Sequence, residues 1–379
     1  MITMVQTKKL SITYVFGDGR SKHILSRENF AKEFFYGFFE FKDEFKNIDF
    51  IEFSPKNKKS FINSFFFIFS KVLRKISKLS FFFENICTYK NLNILSKSKY
   101  IILTNDRIGI STLPLLLILK IFKKNKSTVI VMGLLAKDTR NIISHIAQRL
   151  LLIIFFKTVN NFIFLSKGEF NQAKMSFKKY KKKFYFVPFC IDTNFWEQKN
   201  NLNSKSILFI GNDGRREYDF AIKLAANMPE FDFTFVTSNI NKNDIRSQNI
   251  TLIEGQWNKK ILSDEDVKNI YNESILTIIP IKDSYQPSGQ SVALQSMSMG
   301  VPVLITETIG FWDKDVFKDG ENIFFIEKND INKWSNKIKE IIQNKKITNQ
   351  VIDSSFNLVK NNYNTDFFYK ELKEIIFKN

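Results

Sequence analysis

The stretch SGQSVALQSMSMGVPVLIT, residues 288–306, decides how this chain folds. It opens on a small polar run, carries helical spacing from Ser291 to Met299, and ends in VPVLIT, which reads as a buried strand. Just upstream, ILTIIPI (275–281) is another apolar strand. Strand, glycine-containing turn, helix and strand in that order form one unit of a parallel sheet. Ligands of such sheets sit at the carboxyl ends of the strands, where helices begin. The first turn of the helix offers unpaired N–H groups and a positive dipole end, and Gly289 places no side chain in the way. Ser288, Gly289, Gln290 and Ser291 therefore suit a phosphate group, although Ser288 as a cap and Gly289 as a plain turn account for the same pattern.

Working outward, the second half keeps alternating. SILFIG (206–211), FDFTFVTS (231–238) and NITLIEG (249–255) read as strands. EYDFAIKLAANM (217–228) reads as a helix, as does SDEDVKNIYNE (263–273), which Ser263 and Asp266 open in capping-box spacing. GNDGRREYDF (211–220) sets a second glycine turn, with Gly211 and Gly214, before Arg215 and Arg216 at a helix start. Cations at that end oppose the helix dipole unless an anion is bound, and arginine forks match phosphate oxygens. The first half holds six further strand-like runs, at 9–17, 48–54, 100–105, 128–133, 160–166 and 184–189, with helices between most of them. The expected class is α/β, two doubly wound Rossmann-like parallel sheets. The domains expected are 1–195 and 205–350, joined by a polar linker, with a terminal helical segment, 351–379, packing back towards the first domain.

A resemblance emerges at these residues. VPFCIDTNFW (187–196) resembles the "vPNGvD…F" segment that closes the first domain of family 4 glycosyltransferases of the GT-B fold. ILFIGNDGRREYDF is similar to the first strand, glycine loop and diphosphate-binding basic residues of their donor domain, and 270–326 resembles the run "y…advlv.PS…E.fG…lEAmA.G.PVi.t" and its sequel. The likeness is strong over about 185–330 and weak over 1–184. It implies two domains facing across a cleft, and transfer of a sugar from a nucleotide-sugar co-substrate, without a metal or another cofactor and with retention of configuration. Arg215, Arg216 and the 288–291 loop would neutralise the leaving diphosphate. One departure stands out: the family's two glutamates, eight positions apart, fall here on Pro287 and Gln295. Gln295 can still hydrogen-bond ribose hydroxyls; Pro287 cannot replace a carboxylate.

Charge describes the acceptor side. Residues 1–195 carry 34 Lys plus Arg against 13 Asp plus Glu, and the rest of the chain 23 against 25. An anionic partner of the first half follows, a membrane surface or nucleic acid. No helix-turn-helix, zinc-finger or RNP-type motif supports nucleic acid. In FINSFFFIFSKVLRKISKL (61–79), Lys71, Arg74, Lys75 and Lys78 share one side of a helix and Phe65, Ile68, Phe69, Val72, Ile76 and Leu79 the other. That describes an interfacial membrane helix, and equally an ordinary domain helix with a solvated basic face. SFKKYKKKF (176–184) adds five lysines. The two cysteines lie far apart, outside any metal-ligand spacing. No run reaches the roughly 20 apolar residues that span a bilayer, and a cytoplasmic enzyme at the inner face of the membrane, acting on a lipid-linked or envelope glycan, is the expectation. Asp106, after the strand 100–105, is the candidate catalytic base; His23 and His145 are weaker ones. A nucleotide-sugar 2-epimerase and a non-catalytic nucleotide-binding module are the alternatives.

Overall fold

Runs of Ile, Val and Phe buried on both faces become parallel strands, because each needs helices above and below it. The computed structural model describes residues 11–25, 29–53, 61–122, 125–137, 139, 141–197, 206–255 and 262–378. The polar linker lies, beyond Glu197, outside them. Contacts divide the chain into two units. One comprises residues 1–28, 35–187 and 369–379, the other 29–34 and 188–368.

The first unit is built on β1 (Ser11–Phe16), β2 (Asn47–Glu52), β3 (Tyr100–Leu103), β4 (Lys126–Val131), β5 (Asn161–Phe164) and β6 (Phe184–Phe186). They form one sheet in the order β2-β1-β3-β4-β5-β6, with every pair parallel. Its helices are α1 (Arg20–Leu25), α2 (Phe38–Glu44), α3 (Phe61–Ser77), α4 (Tyr89–Lys97), α5 (Asp106–Phe122), α6 (Ile142–Thr158) and α7 (Lys167–Ser176). One face of the sheet presents Val15, Leu103, Val129 and Phe162 to Leu113, Leu116, Phe155 and Phe156 of α5 and α6. Gly109 lets α5 lie close, since a Cβ there would stand 2.7 Å from Phe155 Cζ. Among the five lysines of 176–184, Lys183 turns inward: its Nζ caps the end of α6 through the carbonyls of Phe156, Lys157 and Val159 at 2.6–3.3 Å.

The second unit is built on β7 (Ser206–Ile210), β8 (Asp232–Val236), β9 (Ile250–Ile253), β10 (Ser274–Ile279), β11 (Val303–Thr306) and β12 (Phe324–Ile326). The order is β12-β11-β10-β7-β8-β9, again all parallel. Its helices are α8 (Tyr218–Ala226), α9 (Asp264–Asn272), α10 (Gln290–Ser298), α11 (Ile331–Gln343) and α12 (Lys345–Asn362). The last helix, α13 (Thr365–Phe377), starts in this unit, and its residues from Tyr369 onward belong to the first. Phe209, Phe235, Leu276 and Leu304 meet Leu224 of α8 and Trp334 of α11 in a second core. Strand order reverses between the neighbouring parallel strands β7 and β10: β8 and β9 follow on one side, β11 and β12 on the other. That is the topological switch point, where a crevice opens at the carboxyl ends of the strands.

Candidate functional site

The loops leaving β7 and β10 meet at this switch point. Glu217 N–H donates to Pro280 O at 3.0 Å and Lys282 N–H to Arg215 O at 2.8 Å, which zips the two loops together beside the Arg216–Ile281 bridge. Asn212 fastens the first loop further, its Oδ1 accepting the N–H of Ser238 at 2.7 Å. Tyr218 Oη adds a bond to Asp213 O at 2.8 Å. Preformed loops of this kind keep their donors aimed before any ligand arrives.

Arg216 is 2% exposed and its guanidinium lies between two glycines. A Cβ on Gly211 would stand 2.5 Å from its Nε, and one on Gly289 would stand 3.3 Å from its Nη1. Gly211 and Gly289 also adopt φ of +146° and +85°, values that favour glycine. Nε donates to Ile210 O at 3.2 Å. Nη1 makes no hydrogen bond and has Asp213 Oδ2 3.3 Å away as its counter-charge. Ser288 Oγ, also buried, makes no hydrogen bond with the described residues. Gly289 is the N-cap of α10, and no side chain caps that helix. A buried cation, a buried hydroxyl and an uncapped helix start thus converge. Buried polar atoms in that condition call for a partner, and an anion with several oxygens would satisfy all three.

Comparisons with known proteins fit this geometry. Residues 191–357 match the family described as "Glycosyl transferases group 1". The chain is a glycosyltransferase with the GT-B architecture. Among solved structures, the Anabaena protein HepE in complex with UDP aligns with a TM-score of 0.68 at 10% identity, covering 98% of this chain and 100% of that one. Sucrose-phosphate synthase from Thermosynechococcus elongatus aligns at 0.68 with 11% identity, covering 96% and 98%. A glycosyltransferase from Rickettsia africae aligns at 0.61 with 12% identity, covering 98% of each chain. No curated protein matches the chain in sequence.

The glycosyltransferase keeps some expected residues at the switch point and sets others apart. Arg216, Gly211, Ser288 and Gly289 come together there. Gln290 opens α10 and is buried, Ser291 is half-buried beside it, and Arg215 is half-buried with its N–H on Asp213 Oδ1 at 2.8 Å. Gly214 faces open space, where an added Cβ would meet nothing within 4 Å. Gln295 lies deeper. Its Nε2 donates to Glu33 Oε1 at 2.8 Å and its Oε1 accepts from Tyr271 Oη at 3.2 Å. One N–H and one lone pair of the amide are left for other partners. Trp196 Nε1 donates to the same Glu33 oxygen at 2.8 Å, and burial pushes the Glu33 carboxyl up to about 7.

In the first unit, Asp106 begins α5 and its Oδ1 accepts the N–H of Met132 at 3.1 Å, tying down the loop after β4. The same loop is held by Glu169, which accepts from Gly133 and Leu135, each at 2.8 Å. Burial raises both carboxyls, Glu169 to about 8, and the Asp106 charge nearby raises Glu169 further. Sequence reasoning passed over Glu169, although Ser166 stands three residues before it in capping spacing and its hydroxyl does accept the Glu169 N–H. Glu33 had no such signal, because its partner Gln295 is 262 positions away. Among the described residues, no group of three or more His, Cys, Asp or Glu is placed to hold a metal ion.

Proposed function

We propose that the enzyme transfers a sugar from a nucleoside-diphosphate sugar to a lipid-linked or cell-envelope glycan, with retention and without a metal ion. The observation that carries this reading is the buried Arg216 guanidinium between Gly211 and Gly289, beside the uncapped start of α10. When the bond between the anomeric carbon and the diphosphate breaks, negative charge collects on the leaving oxygens. In this reading Arg216, the N–H groups opening α10 and Ser288 Oγ stabilise that charge, with the half-buried Arg215 as a second cation. Because these groups supply positive charge themselves, the reaction as proposed does not call for a divalent ion. The acceptor hydroxyl gives up its proton as it attacks, and Asp106 is the proposed base on the acceptor side. The UDP in the Anabaena protein and the UDP-glucose in a second structure of it make UDP the natural first probe. The basic first half suits acceptors held at an anionic membrane surface.

Calorimetric titration with UDP tests the site. Arg216→Ala should weaken binding on the order of 50-fold or more, the cost of a lost charge-assisted contact in a buried site, while Arg215→Ala loses less. An Arg216→Lys variant, which retains the charge, guards against simple misfolding and should recover part of the affinity. Unchanged UDP affinity in Arg216→Ala would remove the diphosphate assignment.

A further inference from the structure

The helix of 61–79 left two readings open, and burial separates them. On α3 the face turned to the core is Phe66, Ser70, Leu73 and Ser77. At ~100° per residue this is neither the basic side nor the main apolar stripe, so the helix has three faces. The apolar stripe points outward: Phe65 is 60% exposed and Ile68 63%. Neighbouring helices do the same. Ile146 and Leu150 of α6 and Ile121 and Phe122 at the end of α5 are exposed. Of the twenty large exposed apolar side chains among the described residues, six lie on α3, four on α5 and five on α6. Since α6 packs against both α3 and α5, these side chains occupy adjoining helices of a single unit. Apolar side chains gathered in this way mark an interaction surface.

Charge selects the partner. Apart from Asp106 in the first turn of α5, none of the three helices contains an Asp or Glu. Lys71 and Lys75 of α3 and Arg149 and Lys157 of α6 are exposed on the same helices. A second copy of the chain would set cations against cations, which disfavours self-association. An anionic lipid surface accepts both features, taking the apolar side chains into the headgroup boundary and the cations at the phosphates. Among the described residues no helix is long and apolar enough to cross a membrane, so the helices would lie in the interface.

We propose that α3, α6 and the end of α5 form a membrane-insertion surface for anionic lipid. This deepens the membrane-bound acceptor reading and rests on it, replacing attraction by charge alone with apolar insertion.

The test is co-flotation of the full-length enzyme with vesicles of phosphatidylcholine, with and without one quarter phosphatidylglycerol, at 0.15 and 1 M NaCl. Wild-type enzyme should float with the anionic vesicles and stay partly bound at 1 M NaCl. Ile146→Asp with Leu150→Asp, and separately Phe65→Ser with Ile68→Ser, should lower the fraction bound at 1 M NaCl about tenfold while UDP affinity is unchanged. Complete release of wild-type enzyme at 1 M NaCl overturns insertion and leaves the charge-based reading standing. Flotation of both variants like wild type also overturns it. Failure to bind any vesicle removes both membrane statements. A dimer in gel filtration that the variants convert to monomer would assign the face to a second copy instead.

Discussion

Asp213 is the residue whose position says most about affinity. Its Oδ2 stands 3.3 Å from Arg216 Nη1, where an incoming phosphate oxygen would compete for the same cation. The carboxylate therefore holds the guanidinium in place, and a phosphate bound as proposed would have to displace it. Asp213→Asn keeps the acceptor for the Arg215 N–H and loses the competing charge, so UDP should bind about 3- to 10-fold tighter, on the order of 1 kcal/mol. Titration of the variant beside wild type checks this, and weaker binding would show Asp213 to be purely supportive. Glu33 carries a pH signature. Its folded-state value is raised from 4.5 to about 7 by burial, so the folded protein holds that proton more tightly than the unfolded chain does. Its contribution to stability is complete below about pH 4.5 and is lost as pH rises through 7, on the order of 3 kcal/mol in all. Melting temperatures of Glu33→Gln should accordingly fall less between pH 5 and pH 8 than those of the wild type.

At the scale of elements, Gly289 joins β10 to α10 in a conformation that no other residue takes easily. Its φ is +85°, and a Cβ would stand 2.7 Å from Ile279 Cγ2. Gly289→Ala should cost roughly 1–3 kcal/mol in stability and weaken UDP binding by displacing the start of α10. Chemical denaturation and calorimetry read the two effects separately. Most elements were legible in the chain: β7, β8, β10 and β11 sit within a few residues of their apolar runs, and Ser263 and Asp266 form the capping box that opens α9. Local patterns encode these, since a strand's alternation or a helix's cap involves neighbours only. The site was legible in part. Glycines followed by arginine pointed to an anion site, but Gln295 binding Glu33 is a long-range pairing that no spacing reveals. On α3 the wheel set the basic residues apart from Phe65, Ile68, Phe69, Val72 and Ile76, but it grouped with these Leu79, which lies past the helix end and is buried, and amphipathicity alone could not tell which side faced the core.

For the whole molecule, the last eleven residues matter out of proportion to their number, because 369–379 belong to the first unit although the chain between 188 and 368 belongs to the second. There Leu372 and Ile376 are fully buried, Phe377 packs at 5.2 Å from the Tyr100 ring, and Glu44 takes both Tyr369 Oη and Lys373 Nζ. Deleting 369–379 should destabilise the first unit by on the order of 5 kcal/mol, from two or three large side chains no longer buried, and expose it selectively to protease. During translation this arrangement imposes an order of events. Phe41, Phe45 and Tyr100 emerge early from the ribosome and must await the final helix before they are covered. Meanwhile the second sheet has every one of its strands in hand before α13 is made, so it is the half that closes first, and a nascent chain lacking α13 would carry a finished sheet beside an incomplete one, a natural target for chaperones.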